Sequence, residues 1–386
     1  LKVSDRVYFK GIDGLRAIGA LSVVLGHIEL SKKSVGIENL MEYSFYKNTS
    51  GHLGVLLFFV LSGFLISYLL FKEKAETNDI NILSFYKRRA LRIWPIYYLV
   101  VILLFFVFPF IIEFDYFGKP NWEFPMSNLN TLLIYFLIVP NLVSFGFGGL
   151  GGGFQLGSIG TEEQFYLFWP WLIKKFKCVL YPILGIMIFI PLVPHLCDFL
   201  SVHYFGKDES AKLFLRQLGD FFSYFKINCM ATGGLIAWIY FKKIEKLLNL
   251  FYSKVFQIIV LILAFGGWLS GFHLNYFSDE YYSVLFAIII LNTATNPKSI
   301  VSFDTKLLNY LGKISYGIYV YHWIVIYFFM DLFMPLKTDF WIYNLLLYFC
   351  SISVTLVVSH FSYFYFEIMF LKLKEKFAVI KSNKKI

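Results

Sequence analysis

Long apolar runs recur along this chain from end to end, separated only by short polar clusters. A segment in lipid must satisfy its own backbone hydrogen bonds, so runs of about 18 residues or more read as spanning helices. Composition agrees. Hydrophobic residues are 58% of the 386 and charged residues 16%, whereas a soluble domain carries about 25% charge. The sequence predicts an all-α polytopic integral membrane protein.

Expected spans are Ile12–Ile28, His52–Phe71, Ile93–Ile112, Leu129–Phe147, Glu162–Phe176 and Cys178–Leu196. Phe221–Phe241, Val255–Phe272, Tyr281–Thr295, Ile314–Phe333 and Trp341–Leu371 follow. Basic clusters mark the cytoplasmic side. Connector 72–92 carries six Lys/Arg, and others lie at Lys174–Lys177, Lys242–Lys246, Lys298–Lys313 and Lys372–Lys385. The connectors holding Glu113, Asp115 and Glu123, then Asp279 and Glu280, are acidic. About ten transmembrane helices put every basic cluster, and both termini, in the cytoplasm. That count requires Leu129–Phe147 and the glycine-rich stretch 146–153 to form a re-entrant or broken segment, which Pro140 and Asn141 favour. A membrane domain over 1–371 and a basic cytoplasmic tail over 372–386 are expected. The first run is too long and continuous for a cleavable signal peptide.

The formal net charge of +10 borders membrane runs, where anionic lipid and insertion topology account for it, so no nucleic-acid partner is expected. Cys178, Cys197, Cys229 and Cys350 lack CxxC spacing and read as small buried hydrophobes, with no metal site expected.

The first run, GIDGLRAIGALSVVLGHIEL, contains Arg16 and His27. Eleven residues return to within about 20° on a helix, placing both on one face about 16 Å apart, with Asp13 one turn below. Charge inside a membrane helix normally faces a protein interior or substrate path; the competing reading is two interfacial side chains. In FYKRRALRIWPIYY, Arg88 and Arg92 are i,i+4 with Arg89 between them. Guanidinium forks bind phosphate, while ordinary positive-inside charge explains the same pattern. Ser62-Gly63 suits close helix packing or passage of a narrow ligand. In LGSIGTEEQFYLFWPWL, Glu162 and Glu163 cannot share a helical face, so one should point inward and the other cap or meet solvent. Ser158 suits a helix cap there, and Glu163 could polarise a histidine or bind Arg16. In YLGKISYGIYVYHWIV, Tyr316, Tyr319 and His322 fall at i, i+3 and i+6, a possible second wall. His360 and Glu367 lie two turns apart. No GxSxG, GKS/T, dinucleotide or HExxH motif is present, and GGLGGG lacks the Lys of a phosphate loop.

Taken in order, GIDGLRAIGALSVVLGH, FFVLSGFLIS, YKRRALRIWPIY, GSIGTEEQFYLFWP and LGKISYGIYVYHW resemble the acyltransferase-3 family of multi-pass bacterial membrane proteins. SYFYFE is a weaker terminal echo. The resemblance covers nearly the whole chain. It implies transfer from cytosolic acyl-CoA, most often acetyl-CoA, to a hydroxyl of a glycan or lipid-linked saccharide at the outer face of the bacterial inner membrane. The family's Arg–ten residues–His motif falls on Arg16 and His27, its basic patch on Arg88, Arg89 and Arg92, and its acidic motif on Glu162 and Glu163. Where the family usually reads Trp-Ser-Leu, a small residue and Val before the glutamates, this chain has Gly157, Gly160 and Thr161 but keeps Ser158. The expected mechanism uses His27 as general base, Glu163 to orient it and Arg16 to position the donor, with the basic patch on the CoA phosphates. Glu162, Ser158, Tyr316 and His322 are candidate substrate contacts. A transporter of a saccharide intermediate or acyl donor, and acylation of a small molecule, are the alternatives.

Overall fold

The computed structural model describes residues 7–34, 36–40, 50–108, 129–145, 153, 155–205 and 208–380. The acidic connector of Glu113, Asp115 and Glu123, most of the glycine-rich stretch, and Lys381, Lys384 and Lys385 of the expected tail lie outside them. Among the described residues the architecture is a bundle of helices. They are α1 (Ile12–Ser34), α2 (Ser50–Thr77), α3 (Ile82–Val107), α4 (Leu129–Phe136), α5 (Leu156–Lys175), α6 (Leu180–His203) and α7 (Glu209–Tyr224). The second half adds α8 (Ile227–Phe241), α9 (Glu245–Tyr252), α10 (Lys254–Ser270), α11 (Ser278–Thr295), α12 (Lys306–Lys313), α13 (Ser315–Leu332) and α14 (Phe340–Glu375).

The expectation of about ten spans is not met. Among the described residues five helices are long and apolar enough to cross a membrane: α1, α2, α3, α6 and α14. The count reaches six if α9 and α10, bent by 65° at their junction, make one broken span. The other expected spans fall short for identifiable reasons. Helix α8 has only 15 residues and α4 only 8. After α4 the chain turns through Ile138 at φ 59 and a 3-10 segment, Pro140–Phe145. Helix α5 carries Glu162, Glu163, Lys174 and Lys175, and α11 opens on Asp279 and Glu280. Five or six crossings do not carry the cytoplasmic placement of both termini, which follows from ten. Five long apolar helices make the chain a multi-pass membrane protein.

Helix α2 is the axis of the bundle. It packs on α1 on one side and on α8 on the other. Close approach to α8 depends on glycine: a Cβ on Gly63 would lie 1.9 Å from the Met230 carbonyl oxygen, and one on Gly233 would lie 2.1 Å from that of Val60. Such small-residue contacts are how helices bind one another where lipid supplies no hydrophobic drive. Gly63→Ala should therefore cost about 3 kcal/mol, the upper range for forced overpacking. A melting temperature equal to wild type in lipid nanodiscs would contradict this contact.

Helix starts are fixed locally. Asn81 caps α3 by accepting from Ser84 N at 2.9 Å, and the buried Glu73 of α2 accepts from Asn81 N at 2.7 Å. Helix α5 begins at Leu156, earlier than expected, so Ser158 sits inside it and is not its cap. Its hydroxyl is instead near Gln155 O at 2.9 Å and Tyr319 OH at 2.5 Å. Asn141 and Gln164 exchange reciprocal amide hydrogen bonds of 2.9 and 3.0 Å, clamping the 3-10 segment to α5. Of the cysteines, Cys197 and Cys229 are buried, whereas Cys178 is exposed.

Candidate active site

Between α1, α2, α3, α5 and α13 lies a cavity with about 740 Å³ of non-atom space, its open mouth included. Three guanidinium groups line it: Arg16 from α1, and Arg89 and Arg92 from α3. The facing wall supplies Glu162 and Ser158 from α5, and Tyr316 and Tyr319 from α13. Arg16 Nη1 pairs with Asp13 at 3.2 Å, the partner one turn below that its spacing predicts. Ser62 donates to Glu162 Oε1 at 2.6 Å, so the small pair on α2 has two jobs: Ser62 holds the cavity carboxylate while Gly63 meets α8.

The two adjacent carboxylates point to different places. Glu162 faces the cavity, within electrostatic reach of Arg92, Arg89 and Arg16. Glu163 leaves it, accepting from Trp94 Nε1 at 3.0 Å, with its other oxygen buried and unpartnered among the described residues. The basic patch divides likewise. Arg89 and Arg92 are three residues apart and share the cavity, while Arg88 is turned away, donating to Phe377 O at 2.7 Å and reaching Glu73 at 3.4 Å. Arg89 lies over the rings of Phe85 and Tyr166, and its Nε is buried without a hydrogen-bond partner among the described residues.

His27 stands about three turns along α1 from Arg16. Its Nδ1 lies 2.7 Å from Nε2 of the fully buried His322, and the two rings stack at 5.0 Å. His322 in turn directs Nδ1 at the Ile318 carbonyl, 3.2 Å away. A carbonyl only accepts, so His322 Nδ1 carries a proton. For two neutral rings His322 Nε2 is then the acceptor and His27 Nδ1 the donor. His27 is left with a bare lone pair on Nε2. That edge faces Gly51 on α2, where a Cβ would lie 3.6 Å from Nε2. Trp323 covers the imidazole at 4.9 Å. Tyr319, whose ring centre is 5.9 Å from that of His322, joins this pair to the cavity. The hydrogen-bond partner of His27 is thus His322, 295 residues away in sequence, while Glu163 bonds to Trp94. Tyr316 donates to Ile93 O at 2.9 Å, tying α13 to α3 beside the arginines.

His360 falls outside this constellation, bonded to Tyr310 at 2.8 Å. Among the described residues no group of three His, Cys, Asp or Glu is arranged to hold a metal.

A sequence profile described as an acyltransferase domain matches residues 9–361, which includes every cavity residue named above. The chain belongs to that acyltransferase family. It is similar to O-acetyltransferase OatA of Staphylococcus aureus strain NCTC 8325, 25% identical over 93% of this chain and 57% of the relative. It is also similar to peptidoglycan O-acetyltransferase OatA of Listeria monocytogenes, 26% identical over 83% of this chain and 50% of the relative. A putative O-acetyltransferase of Staphylococcus aureus strain COL is 27% identical over 95% of this chain. The chain therefore spans little more than half the length of these relatives. No solved structure matches it.

Proposed function

We propose that this chain is a membrane O-acyltransferase that moves an acyl group, acetyl first among candidates, from cytosolic acyl-CoA to a hydroxyl of a cell-surface glycan. The observation that carries the reading is a three-arginine cavity whose wall residue Tyr319 adjoins a histidine pair, in which the second histidine sets the free nitrogen of the first. The arginines suit the phosphates of the donor. The roughly 16 Å rise from Arg16 to His27 is of the order a pantetheine arm must span. At its end His27 Nε2 removes the acceptor hydroxyl proton as that oxygen attacks the thioester carbonyl. The C–S bond breaks, a C–O bond forms, and the proton passes from His27 to the leaving thiolate. His322 holds the donor ring and accepts from Nδ1 throughout. The glycan acceptor follows from the Listeria relative, a peptidoglycan O-acetyltransferase, and location in a bacterial inner membrane goes with that donor and acceptor.

The test is thiol release from acetyl-CoA by the purified chain in lipid nanodiscs, with and without peptidoglycan fragments. Release that requires the acceptor is expected. Movement of saccharide or donor across the bilayer without thioester cleavage would replace this reading with transport.

A further inference from the structure

Family membership is carried by residues 9–361, but helix α14 continues to Glu375. This extension lies along the basic turn of α3. It is held there at its end: Arg88 Nη1 donates to Phe377 O at 2.7 Å, and Lys87 lies over the Phe377 ring at 5.0 Å. A π-helical turn, Ser362–Glu367, precedes the extension, and such turns re-aim the face that follows them. Glu367 and Lys374 are seven residues apart and so share one face. Lys372 and Lys376 are exposed, as lysines at a membrane boundary ordinarily are, whereas Lys374 between them is half-buried. The charges it feels are those of Arg92, Arg89 and Arg16, all three lining the cavity, together with Glu375 beside it.

Three cations thus line one cavity, and the strapped extension brings a fourth, Lys374, within electrostatic reach of them. Asp13 pairs with Arg16; Glu162, held by Ser62, is within electrostatic reach of all three arginines, and Glu367 of Arg92. Among the described residues Arg89, Arg92 and Lys374 have no carboxylate at ion-pair distance. Like charges drawn together without paired counter-ions are costly away from water, and a polyphosphate is the ligand that offsets them.

We propose that Lys374 completes a four-cation site with Arg16, Arg89 and Arg92 for the phosphates of the acyl donor, and that Arg88 is a positioning residue that straps the segment bearing Lys374 against α3. The inference rests on the acyl-CoA reading above. It also gives Arg88 a role that does not require it to touch the donor.

The experiment is titration of CoA into the purified chain in nanodiscs of neutral phosphatidylcholine, for wild type, Lys374→Met, Lys374→Arg and Arg88→Met. Lys374→Met should weaken CoA binding about tenfold, the loss of one charge-assisted contact. Lys374→Arg should restore it, and neither Lys374 variant should melt below the wild type, because Lys374→Met relieves the repulsion that the empty site carries. Arg88→Met should lose the same affinity, and adding Lys374→Met to it should cost little more. Wild-type affinity in Lys374→Met would overturn the inference while leaving the donor reading standing. If wild type binds no CoA, the donor reading falls and takes the inference with it. Repeating the titration with anionic phosphatidylglycerol separates the two sources of phosphate. Competition by that lipid that disappears in Lys374→Met, with no loss of CoA affinity in neutral lipid, would reassign Lys374 to a headgroup.

Discussion

Replacing His27 with alanine should lower acetyl transfer about a thousandfold, the middle of the range for loss of a general base. Membrane insertion should be unaffected, because the change adds neither charge nor bulk to an apolar helix. His322→Ala should cost less, since it removes the partner that sets the tautomer and leaves the base in place. The double variant should be no slower than His27→Ala alone, because groups acting as one unit do not lose activity additively. The checks are thiol release from acetyl-CoA and CoA affinity, measured on the same preparations. CoA affinity should survive in all three variants, as the arginines are untouched. Near-wild-type turnover by folded His27→Ala would remove His27 from the reaction. A double variant much slower than either single one would mean that the two rings act separately.

The pairing of His27 with His322 marks a limit of what could be read from the chain. Arg16, Asp13 and His27 were legible because helical periodicity relates residues a few turns apart. No period relates positions 295 residues apart. The sequence therefore offers Glu163, a carboxylate of the resemblance's acidic motif, as the group beside His27. Which of two neighbouring carboxylates enters a cavity depends on how a helix is rotated against its neighbours, and Ser62 and Trp94 reveal that only once folded. The same applies to the basic patch. Spacing alone favours Arg88 with Arg92, but Glu73 and the Phe377 carbonyl claim Arg88 and leave Arg89 to the cavity. The all-helical character was legible from composition, whereas the number of long apolar helices was not. Helices such as α8 and α11 are largely enclosed by neighbours, so packing rather than hydropathy sets their length and polarity. Lys374 was hidden for a related reason. A lysine among lysines reads as a solvated tail, and only its burial distinguishes it.

Lys32→Met should destabilise the bundle by about 3–5 kcal/mol, the cost of leaving one half of a buried ion pair without its partner. Lys32 and Glu29 are both fully buried, one turn apart near the end of α1 and just beyond His27. Lys32 Nζ donates to Glu29 Oε1 at 2.9 Å and to Asn344 Oδ1 of α14 at 2.6 Å. Glu29 also accepts from Tyr348 OH at 2.6 Å and from Leu40 N at 2.7 Å. The pair therefore joins α1, α14 and the chain leaving α1, and removing the ammonium strands a carboxylate among them. Adding Glu29→Gln should recover most of the loss. The amide oxygen can accept from Leu40 N, and the amide NH2 can donate to Asn344 Oδ1, so the charge is gone and the main contacts are kept. Melting temperatures of the single and double variants in nanodiscs decide the matter. A single variant as stable as wild type would mean that water reaches the pair. A double variant no better than the single would locate the damage in lost packing around the lysine stem, not in an unpaired charge. Because α1 also carries His27 and Arg16, the single variant should lose CoA turnover at temperatures where the wild type still works, and the double variant should regain it.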